Sequence, residues 1–301
     1  MHNIMNPAKP FLKWAGGKRQ LLNEIDKNLP PKILKTKEID LYIEPFVGGG
    51  ALLFYLLSNY SIKKSVINDI NPDLILSYNV IKLFPKDLIK KLEKIEKEFL
   101  PLEYEQRKKY FYNNLRIPYN KLEVDYTTPN TKTSIEKVAL LIALNKTCFN
   151  GLFRQNSKGE FNVPFGRYIN PRILDKDNIL NVSNLLKNTE IFCGSYESIK
   201  IPKDTKAFVY FDPPYRPLTN AGFTKYSKED FNDNDQKQLA KYFRELDKAK
   251  HYLMLSNSDT KDKFFDELYK GFNIQKVSAK RYINSNSNGR GNINELLIKN
   301  Y

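Results

Sequence analysis

The stretch Lys206-Ala-Phe-Val-Tyr-Phe-Asp-Pro-Pro-Tyr215 combines a strand-like run with an abrupt end. The residues from Ala207 to Phe211 have the length and the aromatic and β-branched content of a buried strand. Because prolines cannot donate to a sheet ladder, the strand is expected to stop before Pro213. Asp212 and Tyr215 would then lie at the carboxyl end of a strand, where ligands bind in open α/β sheets. Taken alone, the stretch is also compatible with a simple proline turn.

A second strand-like run, Leu41-Tyr-Ile-Glu-Pro-Phe-Val-Gly-Gly-Gly-Ala51, leads through glycines into an apolar segment over 52–57. The run Ser65-Val-Ile-Asn-Asp69 follows and ends in an acid. This is the order of a nucleotide-binding βαβ unit, in which the acid accepts hydrogen bonds from ribose hydroxyls. Leu53 replaces the third glycine of a dinucleotide fingerprint, which favours an adenosine-bearing cofactor other than NAD.

The segment Phe11-Leu-Lys-Trp-Ala-Gly-Gly-Lys18 predicts a Gly-Gly turn that leads into a helix over Gln20 to Leu29. We expect the two prolines that follow Leu29 to end this helix. Freed backbone amides and a nearby lysine can hold a carboxylate or a phosphate. Trp14 can stack on a ring, although a role as a core anchor is the alternative.

The charge of the chain points to a polyanionic partner. The chain has 49 Lys and Arg and 34 Asp and Glu, which gives a net charge of +15, and its pI is near 9.4. Lysines that neutralise phosphates release counterions, so such an excess favours nucleic acid. The alternative is a compositional bias that leaves the lysines on solvated faces.

Metal and membrane roles are not expected. Two cysteines, Cys148 and Cys193, and two histidines, His2 and His251, do not suffice for a disulfide framework or a zinc cluster. No apolar run approaches the roughly 18 residues that span a bilayer. The N-terminus lacks the basic and apolar segments of a secretory signal, so we expect a cytoplasmic protein.

The middle of the chain, from about Pro72 to Leu186, is rich in Lys and Glu and predicts helices, among them 86–99 and 135–144. It also contains an irregular stretch, Phe149 to Arg167, with three glycines, three basic residues and four phenylalanines. Arg and Asn side chains can read base edges, and an aromatic ring can fill a disturbed duplex. The alternative is a hairpin that packs its aromatic rings inward.

Strand-like runs return at 189–196, at 207–211 and at 251–255, the last ending in Ser256-Asn-Ser258. A long loop to about 228 and a helix through Leu246 separate the runs at 207–211 and 251–255. Two further strand-like runs, 272–278 and 292–299, are expected to pair across a polar loop at 284–291. We therefore expect an α/β fold, a Rossmann-like sheet formed by 1–71 and 187–301, with a mainly helical domain, 72–186, inserted.

Methyl transfer to the exocyclic amine of a base accounts for these features together. The amine is a poor nucleophile because its lone pair is delocalised into the ring. The Asp212 carboxylate and the Pro213 carbonyl can hold both amine protons and aim the lone pair at a methyl donor. Tyr215 can stack on a base that has left the duplex. No cysteine nucleophile and no metal is needed.

Six motifs in fixed order resemble the Dam family of DNA adenine-N6 methyltransferases, in the class α order. They are Phe11–Lys18, Glu44–Gly50, Phe149–Arg154, Phe161–Tyr168, Asp212–Tyr215 and Leu255–Ser258. The chain is most similar to members of GATC restriction–modification systems of the MboI and DpnII type. The resemblance covers roughly residues 10–301.

The resemblance implies S-adenosylmethionine as methyl donor, double-stranded DNA as partner, and a cognate restriction endonuclease acting on the same site. It implies Asp212, Pro213 and Tyr215 as catalytic residues. It implies a set of cofactor-binding residues: Trp14, Lys18, Phe46, Gly48, Asp69, Ser195, Tyr196 and Asp212. It implies DNA contacts by a further set: Lys13, Phe149, Asn150, Leu152, Arg154 and Pro164.

Other functions compete with this interpretation. An RNA adenine-N6 or a DNA cytosine-N4 methyltransferase performs the same chemistry at an exocyclic amine. A binding protein that uses S-adenosylmethionine only as a ligand belongs to a different class. The intact Asp-Pro-Pro-Tyr motif at 212–215 argues against that last alternative, because binding alone has no use for an acceptor at this point.

Overall fold

The computed structural model describes residues 7–128, 131–216, 231–260, 262–280 and 292–301. The chain divides into two compact units. The first comprises Met1–Gly17, Gly48–Ser58 and Asn71–Cys193, and the second comprises Lys18–Val47, Asn59–Ile70 and Gly194–Tyr301. The domain boundaries expected from the sequence, at residues 72 and 186, stay a prediction.

Seven strands form one sheet. They are β1 (Glu38–Glu44), β2 (Ser61–Asp69), β3 (Thr189–Cys193), β4 (Ala207–Phe211), β5 (Tyr252–Ser258), β6 (Asn273–Lys280) and β7 (Asn292–Lys299). Their order is β3-β2-β1-β4-β5-β7-β6. All of them except β3 belong to the second unit. This sheet confirms the predicted Rossmann-like α/β fold class.

The strand directions bring the ends of four strands to one edge. β1 runs parallel to β2 and to β4, and β4 runs parallel to β5. β7 is antiparallel to both β5 and β6. Because parallel strands end at a common edge, Asp69 at the end of β2 and Asp212 directly after β4 share that edge.

The expected pairing of the last two strands, β6 and β7, is confirmed. The loops predicted at 284–291 and up to about 228 fall mainly outside the described residues.

The α-helices are, in chain order, α1 (Leu22–Lys27), α2 (Pro31–Thr36), α3 (Ala51–Asn59), α4 (Pro72–Leu83), α5 (Pro85–Phe99), α6 (Tyr104–Tyr110), α7 (Ile117–Lys121), α8 (Lys132–Thr147), α9 (Lys176–Leu185), α10 (Asp233–Lys248) and α11 (Phe264–Leu268). A π-helical segment, Phe111–Arg116, joins α6 to α7. None of the helices in the described ranges is long and apolar enough to cross a bilayer.

The core of the second unit lies between the sheet and α10. Asn232 caps α10 by accepting from the backbone N–H groups of Asn234 and Asp235. Leu239 and Phe243, one helical turn apart, are fully buried, and the Phe243 ring lies 5.8 Å from that of Phe211 on β4. This packing fixes the strand whose end carries Asp212.

Helices dominate the first unit. α5 buries one stripe of apolar residues and exposes its Lys and Glu residues, which is the amphipathic pattern that the sequence predicts. α8 is buried on nearly every side, and α5 packs against it. The helices predicted at 86–99 and 135–144 are thereby confirmed, each one to three residues short of the observed bounds.

The helix expected over Gln20 to Leu29 is confirmed, with the shorter span Leu22–Lys27. The role expected for Pro31 is wrong, because Pro31 begins α2. Proline is well suited to the first turn of a helix, where its missing N–H has no partner to lose. The strand expected to end in Ser256-Asn-Ser258 is confirmed, since β5 ends at Ser258 and β7 pairs with all three residues.

Candidate functional site

Asp212 follows the last residue of β4 and begins the proline turn. The turn is held from outside the strand, since Gln236 Nε2 donates to the Pro214 carbonyl at 3.1 Å. Asn257 Nδ2 in turn donates to Gln236 Oε1 at 3.2 Å, and both amide side chains are buried. Within the described part of the chain, nothing donates to the Pro213 carbonyl. The Asp212 carboxylate and this carbonyl are thus neighbouring acceptors in a fixed turn.

The Asp212 carboxylate is mostly withdrawn from solvent, with 17% of its side chain exposed. Lys18 Nζ lies 2.9 Å from its Oδ1, and Ser256 Oγ lies 3.5 Å from the same oxygen. Burial raises the pKa of Asp212, Lys18 lowers it in part, and Glu295 raises it. The site therefore keeps a desolvated carboxylate whose ionisation depends on Lys18.

Tyr215 lies in the same cluster. Its phenol donates to Glu295 Oε2 at 2.6 Å, and Lys18 Nζ lies 4.2 Å from the centroid of its ring. Burial, together with the Asp212 charge, raises the pKa of Tyr215 well above its ordinary value. The phenol is therefore a hydrogen-bond donor at neutral pH, and Lys18 contacts both the ring and the Asp212 carboxylate.

Four residues predicted to bind the cofactor meet at the same edge of the sheet. The rings of Phe46 and Tyr196 lie 5.3 Å apart. The N–H of Gly194, which precedes Ser195, donates to the Asp69 carbonyl at 3.1 Å. Asp69 is partly exposed at the end of β2, so a carboxylate and two aromatic faces are grouped there.

Asn68, which the sequence interpretation did not single out, ties these segments together. Its Nδ2 donates to the carbonyls of Pro45 at 3.0 Å and of Gly194 at 2.9 Å. Its buried Oδ1 has no partner among the described residues. A Cβ added at Gly194 would meet nothing within 4 Å. Open space at Gly194, which bonds to the partly exposed Asp69 and lies two residues before Tyr196, fits an adenosine group.

The other two cofactor candidates, Trp14 and Gly48, lie in the first unit. A Cβ at Gly48 would lie 3.2 Å from Trp14 Cδ1, so only glycine lets the indole approach this closely. Gly48 has a φ of 49°, and its carbonyl accepts from the Tyr78 hydroxyl at 2.9 Å. The Gly-rich turn is thus shaped around Trp14, which also stacks on Phe153 at 5.0 Å.

The loop predicted to contact DNA folds back on itself without forming a regular hairpin. Bridges join Cys148 to Phe165 and Gln155 to Phe161. Phe149 N donates to the Pro164 carbonyl at 2.9 Å. The alternative of an inward-packed hairpin holds for Phe161, which is buried, but Phe149 is 51% exposed. Phe149 and its neighbours border an open groove of about 470 Å³, which is lined by Phe149, Asn150, Phe165, Gly166, Arg167 and Tyr168.

Lys13 and Gly151 of this region share one anchor, Asn145 on α8. Asn145 Oδ1 accepts from Lys13 N at 2.8 Å, and its Nδ2 donates to the carbonyls of Lys13 at 2.9 Å and Gly151 at 2.8 Å. The Lys13 ammonium reaches the Tyr168 hydroxyl at 3.1 Å. Two segments that are distant in sequence are therefore held side by side.

The remaining predicted DNA contacts are exposed. Leu152, with 44% of its surface accessible, and Arg154 and Pro164 lie on the outside of the loop. Arg154 Nε donates to Asn162 Oδ1 at 2.7 Å, which limits the directions in which the guanidinium can point. Asn150 has a φ of 56° and is also exposed.

Known proteins resemble this chain over most of its length. The family model described as D12 class N6 adenine-specific DNA methyltransferase matches residues 14–283. The chain is 54% identical to "Type II methyltransferase M.MjaIII" from Methanocaldococcus jannaschii, over 98% of this chain and 99% of that one. It is 39% identical to "Type II methyltransferase M1.LlaDCHI" from Lactococcus lactis subsp. cremoris, over 97% and 95%. It is 32% identical to "DNA adenine methylase" from Escherichia coli K12, over 97% and 95%.

Proposed function

Because the chain belongs to the D12 class of N6 adenine-specific DNA methyltransferases, we propose that it methylates the adenine of GATC in duplex DNA, with S-adenosylmethionine as donor. The observation that carries the proposal is the fixed turn after β4. There Asp212 and the Pro213 carbonyl are neighbouring acceptors, and the Lys18 ammonium that pairs with Asp212 lies over the Tyr215 ring.

Asp212 and Pro213 act on the amine of the target adenine. The carboxylate accepts one N–H and the Pro213 carbonyl accepts the other, so the nitrogen becomes pyramidal and its lone pair is directed outward. The turn fixes both acceptors before the substrate arrives, so the only rearrangement needed at Asp212 is that the Lys18 ammonium gives way to the amine. Lys18, at 2.9 Å, favours the ionised carboxylate that this role requires.

Tyr215 provides the surface for the target base. The amine cannot be reached inside a base stack, so the adenine must leave the duplex. The Tyr215 ring, anchored through its phenol to Glu295, offers a flat face next to the two acceptors. Stacking on an aromatic ring contributes roughly 1–3 kcal/mol per base.

The residues at the strand edge fit S-adenosylmethionine. Asp69 would accept from the ribose hydroxyls, and Phe46, Ser195 and Tyr196 would border the adenine ring of the cofactor. Lys18 and Asp212 are further proposed contacts of the same unit. Trp14 and Gly48, in the first unit, stay predicted cofactor contacts. When bound, the donor supplies an electrophilic methyl group on a sulfonium. No step of the proposal uses a metal.

Residues 72–186 are proposed as the target-recognition domain. Lys13 and the loop that bears Asn150, Leu152, Arg154 and Pro164 would contact bases and backbone, and the exposed ring of Phe149 would enter the duplex where the target leaves it. The exposure of Phe149 and the anchoring of Lys13 by Asn145 support this assignment. The net charge of +15 suits the phosphate backbone.

The relatives named Type II methyltransferases support a role in restriction–modification. In that setting the chain would protect host DNA from a nuclease that cuts the same site. The expected cytoplasmic location stays a prediction. The match to adenine-specific DNA methyltransferases disfavours the alternatives considered from the sequence, an RNA adenine-N6 or a DNA cytosine-N4 activity.

Labelled methyl donor separates these possibilities. The protein is incubated with a GATC duplex, with the same duplex scrambled to GTAC, and with a GAUC-bearing RNA, and the products are digested to nucleosides. We expect label in N6-methyldeoxyadenosine from the GATC duplex alone. Label in N4-methyldeoxycytidine or in RNA would favour the alternatives. A protein that binds donor and DNA without transferring label would be a binding protein only.

A further inference from the structure

A cluster of four side chains, Lys18, Asp212, Tyr215 and Glu295, has one cation between two carboxylates. Lys18 Nζ lies 2.9 Å from Asp212 Oδ1 and 3.9 Å from Glu295 Oε2. All three charged side chains are largely buried, with 9%, 17% and 16% exposed. Charges that are withdrawn from water stay favourable only while they are paired.

In this arrangement the Lys18 ammonium holds the place that the substrate needs. It donates to Asp212 Oδ1, which is the acceptor proposed for the adenine amine. It also lies over the Tyr215 ring at 4.2 Å, which is the face proposed for the base. An adenine therefore enters only if the ammonium moves, and a buried ammonium that moves requires a new acceptor.

Glu295 is a carboxylate within a short movement of Lys18, and it already fixes Tyr215. Its Oε2 accepts the Tyr215 phenol at 2.6 Å. A shift of about 1 Å toward Glu295 would bring the ammonium to normal hydrogen-bond distance. We propose that Glu295 is a positioning residue for the reaction: it holds Tyr215 in place and receives the Lys18 ammonium when the adenine amine replaces it on Asp212.

This inference rests on the proposed function, because it assigns the Asp212 oxygen to an adenine amine. It adds a residue on β7, near the C-terminus, to a site otherwise formed by the ends of β1, β2 and β4. No bond is made or broken in the exchange, and the charge of the cluster is unchanged.

The test uses a duplex whose target position holds either adenine or purine, which lacks the amine. Binding to both duplexes is measured for the wild type and for Glu295→Gln, with Glu267→Gln, an exposed glutamate of the same unit, as the control. The glutamine carbonyl still accepts the Tyr215 phenol but offers no charge to Lys18. The ratio of the two affinities isolates the engagement of the amine in each protein.

We expect Glu295→Gln to reduce the preference for adenine over purine by about three- to tenfold, with purine affinity and the control unchanged. It should also lower kcat with little change in the KM for DNA. Equal losses on both duplexes, or an unchanged ratio, would overturn the proposal and make Glu295 structural. Failure of the proposed function is distinct: the wild type itself would then show no N6-methyladenine and no preference for adenine.

Discussion

Lys18 and Asp212 form an ion pair at 2.9 Å in which 9% and 17% of the side chains are exposed. Lys18 follows a glycine turn near the start of the chain, and Asp212 follows the central strand β4. The pair controls the ionisation of the proposed acceptor, because burial alone would keep the carboxyl protonated to higher pH.

The pH dependence of methyl transfer tests this pair. Asp212 has a raised pKa, and it faces Lys18, Glu295, Tyr215, Tyr210 and Ser256. Only the ionised carboxylate accepts from the amine, so activity should be lost as the pH falls through that pKa.

Lys18→Gln should move the acidic limb of the pH–rate profile to higher pH, because the variant lacks the cation that stabilises the Asp212 carboxylate. Glu295→Gln should move it to lower pH, because a repelling charge is gone. The measurement is kcat between pH 4 and 9 for the two variants and the wild type. Acidic limbs at the same pH in all three proteins, or shifts opposite to those predicted, would contradict the assignment of the acidic limb to the ionisation of Asp212.

Asn145→Ala should destabilise the protein by about 2–4 kcal/mol, since it leaves the Lys13 N–H and two carbonyls without their partner. Urea unfolding measures this change in the free energy of unfolding. Asn184→Ala, at an exposed position on α9, is the control and should remain within about 0.5 kcal/mol of wild type. Similar small effects at both positions would show that Asn145 does not hold the two segments together.

Gly151→Ala should weaken binding to GATC DNA by about tenfold, or ~1.4 kcal/mol, relative to Gly159→Ala. Both glycines have positive φ, 65° and 77°, so both changes carry a similar backbone cost of about 1 kcal/mol. Only at Gly151 would the new methyl group clash with the Lys13 side chain; around Gly159 there is open space. Equal DNA affinities for the two variants would show that Lys13 does not contribute to DNA recognition.

Arg154→Ala should cost roughly 1–3 kcal/mol in binding to a GATC duplex and little on unrelated DNA, if its guanidinium reads a guanine. Lys158→Ala, an exposed charge on the same loop, should weaken both duplexes alike. Titrations at several salt concentrations separate the two effects. An equal loss on both duplexes for Arg154→Ala would identify a phosphate contact instead.

Most of the fold could be predicted from patterns among residues that are close together in the sequence. The aromatic run before Asp212 predicts β4 with its observed bounds, because a strand end between apolar residues and two prolines is a property of neighbouring residues. The glycine turn and Asp69 were predicted from neighbouring residues in the same way. Pro31 was misread because proline ends one helix and begins another with the same residue type.

Long-range partners could not be read from the sequence. Glu295 is one of two charged residues in β7, and nothing in its neighbours points to Tyr215 or Lys18. Asn145 lies inside a helix that is buried all round, where its three backbone partners give no pattern. Phe149 and Phe161 are the same residue type in one irregular loop, and only the folded chain distinguishes the exposed ring from the buried one.

The central claim is that Asp212 directs methylation of adenine in GATC. It is tested most directly by expressing this chain alone in a host that lacks adenine methylation and mapping modified bases across the host DNA. Asp212→Ala is expressed in parallel, with retained DNA binding as the check on folding. We predict N6-methyladenine at GATC sites with the wild type and none with the variant. Methylation confined to another sequence, or retained in Asp212→Ala, would contradict the account.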